Sequence, residues 1–359
     1  TAEDANISEG VAVGGGTIHN YAGAMIYGYG RAIQVDNSSN GGALAATTIT
    51  NEGVIQGDGH GPENVNADHA AAMQARIDGR EAIDILGTFN DTVTNSGQII
   101  GGVFTDGGDD SLTNSGTMIA LKDMAIDMGA GNDTVWNKTS GVVSGIVALG
   151  EGDDRLNNEG TITVTHGNAV SRGGGDDYFG LSVTVTGNVD AGAGNDEVNI
   201  QSTGHIFGAV SFGDGNDRLY TSGEIKAGSA DAVAVDMGAG DDWVTLYNGT
   251  TMQGTIRLGD GNDFLTSTSG GGFVNDAGDG DDQIYLSSMV IGGDDVIDGG
   301  NGNDTIYAGI GNDEIRGGFG DDILVGEDGS DTHIYGYHHG SDIIREGAGQ
   351  AGDVDTLVF

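Results

Sequence analysis

Three observations predict an all-β chain wound as a parallel β-solenoid. Fifteen aspartates (Asp91, Asp110, Asp133, Asp154, Asp177, Asp196, Asp217, Asp242, Asp263, Asp282, Asp295, Asp304, Asp313, Asp322 and Asp331) recur at odd spacings of 19, 23, 21, 23, 19, 21, 25, 21, 19 and 13 residues, then nine four times. Fourteen of them are followed two places later by an apolar residue: Val93, Leu112, Val135, Leu156, Phe179, Val198, Leu219, Val244, Leu265, Ile284, Ile297, Ile306, Ile315 and Leu324, with only His333 departing. The 359 residues hold 70 Gly, one Pro and no Cys. Strand side chains alternate faces with period two, so a coil lengthened in pairs keeps its apolar residues inside, and repeats this small bury their strands only against neighbours.

Residues 1–85 keep the strand pattern without the aspartate loops. Segments 11–13, 32–35 and 48–55 read as strands, and the AIDI of 82–85 returns as the AIDM of 125–128. Between them lies an excursion, 57–80, with Pro62 and an Ala-rich run over 70–77. Asp68 as N-cap and Gly79 just beyond predict a short helix there.

From 86 to 289 each coil averages about 21 residues, room for two or three short strands and one loop. Around most anchors the loop reads G-x-G-[N/D]-D-x-φ, as at 129–135 and 259–265. Glycines permit positive φ and close backbone approach, which turns carbonyl oxygens toward one point where the Asp adds a carboxylate. Oxygen ligands alone, with no His or Cys in the loops, favour calcium over zinc or magnesium. The candidate ligating loops are built by Gly129, Gly131 and Asp133, by Gly150, Gly152 and Asp154, by Asp177, by Gly192, Gly194 and Asp196, by Gly213, Gly215 and Asp217, by Gly238, Gly240 and Asp242, by Gly259, Gly261 and Asp263, and by Gly278, Gly280 and Asp282. Each loop supplies only a few oxygens, so ions are expected between successive loops, in a file along one edge from about Asp133 to Asp331. Two early loops read as weak, because Phe89 precedes Asp91 where a glycine belongs and Asp106 does so before Asp110. Asp127, Asp190, Asp236, Asp276 and Asp298, six residues before anchors or nearly so, add either second carboxylates or solvated charge. Asn95, Asn114, Asn137 and Asn158 stand at matching corners, where they form either an amide ladder or plain polar turns.

From 290 to 359 the spacing falls to nine, with candidate ligands Asp295, Gly300, Gly302, Asp304, Gly309, Gly311, Asp313, Gly318, Gly320, Asp322 and Asp331. The copies at 300–306 and 309–315 match G-G-x-G-x-D-x-φ-x, and this segment resembles the nonapeptide arrays of repeats-in-toxin (RTX, hemolysin-type) proteins. The resemblance is tight over the last fifth of the chain and extends to 86–282 only through the loops. It implies a calcium-binding β-roll continuing the β-helix, with 330–336 and 353–357 resembling its closing segment. It also implies type I secretion and folding triggered by outside calcium. No secretion signal is recognised before Phe359, so a longer parent protein is expected.

A net charge of −43 calls for bound cations and disfavours nucleic acid as a partner. No apolar run of about 18 residues is present to span a membrane. Beside the loops, Trp136, Arg155, Tyr178, Arg218, Tyr220, Trp243, Phe264 and Tyr285 fall on the outward phase, with Arg172 nearby. Rings stack on sugar faces and Arg pairs with uronates, so an acidic polysaccharide is a candidate ligand; aromatic residues are equally good strand formers. Neither H-E-x-x-H nor G-x-S-x-G occurs. Glu63, His69, Arg76 and Glu81, around the excursion, are the available catalytic candidates, or else parts of a cap over the first coils. The reading is a secreted calcium-binding scaffold of a surface or matrix, with a lyase or glycoside hydrolase acting on an acidic exopolysaccharide as the alternative.

Overall fold

The structure, a computed structural model, describes residues 11–28, 30–35, 43–57, 81–269, 274–286, 293–336, 339–347 and 353–359. Among them all regular structure is β-strand. The helix expected over 70–77 lies outside these residues. The chain divides into two compact units, 1–179 with 185–187, and 180–184 with 188–359.

Unit 1 is a parallel β-solenoid. Strands Gly16–Asn20, Thr47–Asn51, Thr92–Asn95, Ser111–Asn114, Thr134–Asn137 and Arg155–Asn158 stack in register, so that Ile49, Val93, Leu112, Val135 and Leu156 form one column. All five are fully buried, and each such side chain contributes about 1.5–3 kcal/mol relative to exposure. Val54–Gly57, Gln98–Ile100, Thr117–Asp127, Val142–Ala148 and Thr161–Ser171 form the second wall. The asparagine corners do form a ladder: the amide of Asn51 donates to Asn95, Asn95 to Asn114, Asn114 to Asn137 and Asn137 to Asn158, at 2.7–2.9 Å. It begins earlier than the aspartate spacing indicates, because Asn20 donates to Asn51 at 2.8 Å in coils that carry no metal loop.

Unit 2 is also a parallel solenoid, with Glu197–Ile200, Arg218–Thr221, Trp243–Leu246, Phe264–Ser267, Gln283–Tyr285, Thr305–Ile310 and Ile323–Asp328 in one sheet. Its opposite wall runs through Val210–Asp214, Val233–Ala239, Thr255–Asp260, Val274–Asp279, Val296–Asn301, Glu314–Phe319 and Thr332–Ile334. Nine residues are therefore half a coil. Val296–Asn301 pairs with Glu314–Phe319, 18 residues on, while Thr305–Ile310 pairs with Ile323–Asp328 in the other wall. Each 18-residue coil of this region carries two metal loops on two walls, and the columns of Ile297 with Ile315 and Ile306 with Leu324 face inward at 0–1% exposure. The anchors from Asp282 to Asp331, expected along one edge, thus fall in two columns, one through Asp282, Asp304 and Asp322 and one through Asp295, Asp313 and Asp331. The strand Ile343–Arg345 closes one wall and Thr356–Val358 the other.

Candidate metal centres

The anchor aspartates are almost completely buried, and most accept a hydrogen bond from the backbone of the preceding coil. In unit 1 the Asp110 amide donates to Asp133 Oδ1, Asp133 to Asp154 and Asp154 to Asp177, each at 2.7 Å. In unit 2 Asp196 donates to Asp217, Asp217 to Asp242, Asp242 to Asp263, Asp263 to Asp282, Asp282 to Asp304 and Asp304 to Asp322, at 2.7–2.9 Å. A separate ladder joins Asp295 to Asp313 at 2.8 Å, Asp313 to Asp331 at 2.9 Å and Asp331 to Asp355 at 3.2 Å.

One carboxylate oxygen is thereby satisfied. The other, Oδ2, is buried without a hydrogen-bond partner in Asp110, Asp133, Asp154, Asp242, Asp263, Asp282, Asp304, Asp313, Asp322 and Asp331. Leaving a buried charged acceptor unsatisfied is costly, and a column of them is costlier. Burial is the leading cause that pushes these carboxyls up, to about 8 for Asp133, Asp242 and Asp282 and about 7 for Asp110 and Asp304, with neighbouring anchors adding to it. A hard cation beside Oδ2 removes both penalties. The loops offer carboxylate and carbonyl oxygen and no His or Cys side chain, which fits calcium.

In most loops both glycines sit at positive φ and in close contact with the coil before. At Gly261, φ is +140° and a Cβ would lie 2.0 Å from the Gly240 carbonyl oxygen one coil away. The residue just before each anchor was missed as a structural element. Its side-chain oxygen accepts an amide from the next coil, as from Asn132 to Asp109, Asp153 to Asn132, Asp241 to Asn216 and Asn262 to Asp241, at 2.9–3.1 Å. This outer, exposed ladder runs opposite in donor direction to the buried one. Asn and Asp both carry Oδ1, and the alternation of the two in G-x-G-[N/D]-D was its legible signal.

The Asp110 loop, expected to be weak, keeps its form. Asp106 takes φ +71° at the glycine position, and its carbonyl accepts the Ala130 amide at 2.7 Å. Glu327 does the same before Asp331, also at φ +71°. Short acidic side chains tolerate the left-handed region better than bulky ones, and Asp more than most. The Asp91 loop differs: its Oδ1 accepts the Thr47 amide, and beyond it the column continues as Thr47 and Gly16, which carry no carboxylate.

Of the acids six residues before anchors, Asp236, Asp276 and Asp298 share one column of unit 2 with Arg257 and Arg316. Arg257 lies 3.5 Å from Asp236 and 3.8 Å from Asp276, and Arg316 lies 3.3 Å from Asp298. Arg172 is not part of the outward stripe. It is 5% exposed, takes the inward position that Met128 and Leu149 hold in preceding coils, and sits over the Phe179 ring at 5.2 Å. Its charge opposes the upward push of burial on Asp154 and Asp177.

The rest of the stripe is exposed or half-buried, and most of it packs against its own neighbours. In unit 1 Arg155 lies over Tyr178 at 4.0 Å, and Lys138 over Trp136 at 4.5 Å. In unit 2 the rings of Trp243 and Phe264 stack at 4.1 Å, followed by Tyr285 at 5.7 Å and Tyr307 at 5.2 Å, while Arg218 is in register with Trp243 and Tyr220 with Thr245. Of the catalytic candidates, Glu63, His69 and Arg76 lie outside the described residues. Glu81 is 3% exposed and paired with Arg31, which also lies 3.0 Å from Asp84, so the structure places it in the core of the first coils. A cavity of about 370 Å³ in unit 1, unforeseen in the sequence, is lined by Lys122, Asp123, Ser144, Thr163 and His166.

Comparison with protein families adds one match: the RTX calcium-binding nonapeptide repeat, four copies, over residues 292–315 and 298–332. No curated protein and no solved structure matches the chain. Among the described residues no helix is long and apolar enough to cross a membrane. RTX repeats are typical of secreted proteins, and the matched segment coincides with the half-coil region where both walls carry buried aspartates. Residues 292–332 are RTX calcium-binding nonapeptide repeats, set in a parallel β-solenoid, and Ca²⁺ is the ion that such repeats bind.

Proposed function

We propose that this chain is a secreted scaffold whose folding is switched on by calcium outside the cell, and that calcium occupies the coil-to-coil positions along all the buried aspartate ladders, those outside 292–332 included. The observation that carries this reading is the buried Oδ2 without a hydrogen-bond partner, which recurs with the same ladder geometry within each unit, at Asp110, Asp133 and Asp154 of unit 1 and at Asp242, Asp263, Asp282, Asp304 and Asp322 of unit 2. Inside a calcium-poor cell these carboxylates repel and the chain stays open enough for export, as type I secretion requires; millimolar calcium outside then couples binding to folding. Counting bound calcium by native mass spectrometry tests it. Ions in clear excess of those that 292–332 can hold are expected, and a number confined to that segment would restrict the reading to the repeats.

A second reading, cleavage of an acidic polysaccharide, is favoured by the unit 1 cavity. Its volume lies in the range of small-ligand sites, and Lys122 and His166 bring a cation and a base to one wall, the groups a lyase uses. Incubation with uronate polysaccharides and absorbance near 232 nm tests this, with K122A and H166A as controls. An unsaturated product that both variants lose supports it, and no product from any uronate polymer rejects it.

A further inference from the structure

The second ladder ends differently from the first, and its end lies beyond the family match. Asp331, Glu346 and Asp355 each place a carboxylate oxygen within 4.8 Å of the others, the one such group of three potential metal ligands among the described residues. Their sources are unrelated in sequence. Asp331 is the last ladder anchor, Glu346 follows the closing strand Ile343–Arg345 of one wall, and Asp355 precedes the closing strand Thr356–Val358 of the other.

Two further observations show that the position is built. Asp331 is 0% exposed, with Oδ2 lacking a partner, and its amide is the donor to Asp355 Oδ1 at 3.2 Å. His333, 2% exposed, takes the inward place that an apolar residue fills in every other repeat; its Nδ1 lies 3.4 Å from Glu346 Oε1 and its Nε2 is buried without a partner. The space is kept open by Gly326, where a Cβ would fall 2.2 Å from Asp331 Oδ2 and 2.8 Å from Glu346 Oε2. Three carboxylates this close repel strongly unless a cation separates them, and their oxygens suit a hard one.

We propose that Asp331, Glu346 and Asp355 form a terminal calcium site that staples the closing strands of both walls to the last coil, with His333 positioning Glu346. Glu346 supplies what the next loop of the ladder would have supplied, had the array continued. The site rests on the calcium reading above and adds to it a ligand outside any nonapeptide.

Native mass spectrometry on the full chain in calcium tests it, with E346Q and D355N compared with the parent, and D304N as a variant of the other ladder. Glu346 is half-exposed and D355N keeps the acceptor for the Asp331 amide, so both variants retain the fold. E346Q and D355N are each expected to lose one ion and to show faster amide exchange at 356–358, while H333Q weakens that one ion without changing the others. Loss of an ion in D304N with an unchanged count in both E346Q and D355N would overturn the terminal site and leave the calcium reading standing. Absence of calcium from the parent would remove both.

Discussion

Ten anchor carboxylates, Asp110, Asp133, Asp154, Asp242, Asp263, Asp282, Asp304, Asp313, Asp322 and Asp331, are satisfied at one oxygen and bare at the other, and this half-satisfaction makes them sensitive to pH as well as to metal. In the metal-free chain, burial raises Asp133, Asp242 and Asp282 from 3.8 to about 8. A folded-state value above the unfolded one means that the native state holds protons the unfolded chain releases, so stability falls as pH rises. Without calcium, the melting temperature should therefore be higher at pH 5 than at pH 8. With saturating calcium the order should reverse, because protons compete with the ion for the same oxygens. Thermal melts at both pH values, with and without calcium, check this; the same order under both conditions would contradict it. Asp304→Ala should lower stability in calcium more than Asp91→Ala, since Asp304 stands between the carboxylates of Asp282 and Asp322, whereas Asp91 has a carboxylate neighbour, Asp110, on one side and Thr47 on the other. Calcium-dependent melting of the two variants measures the difference, and equal losses would show that the column does not weaken at Asp91.

Among elements, the loop and the ladder each have a weak point that one atom exposes. Gly261→Ala would put Cβ against the Gly240 carbonyl at positive φ and should cost more than about 1–3 kcal/mol, read from denaturant unfolding in calcium. Asn114→Ala removes a side chain that accepts from Asn95 and donates to Asn137, at a cost of about 1–3 kcal/mol, with no loss of bound calcium. An unchanged unfolding midpoint in either variant would contradict its assignment. The inward column, the parallel winding and the glycine loops were legible because period-two alternation and positive φ leave marks on every repeat. The two-wall arrangement of 293–336 was not, because a spacing of nine fits a short coil and a half coil equally well until strand pairing is known. Asp106 hid its role by occupying a glycine's conformation. Arg172 hid by being a cation in an apolar column, and the terminal cluster hid because Glu346 belongs to no repeat.

At the scale of the whole molecule, a net charge of −43 sets the dependence on calcium. Self-repulsion opposes any compact state, and each bound ion neutralises part of it while joining adjacent coils. The loss on chelation should be uneven. Residues 293–336 carry two ladders per coil, whereas the described residues of 11–57 carry no aspartate ladder and hold an uncharged asparagine one, so proteolysis in chelator should cut the former first. Simultaneous cleavage of both would argue against that order. The central claim, that the bare carboxylate oxygens are calcium positions on which the fold depends, is tested most directly by calcium titration of the chelated full chain at pH 7.5, followed by far-ultraviolet circular dichroism. A cooperative gain of β-structure with calcium, absent with magnesium, is the predicted result, and a chelated chain with the full β spectrum and an unchanged melting temperature would contradict it.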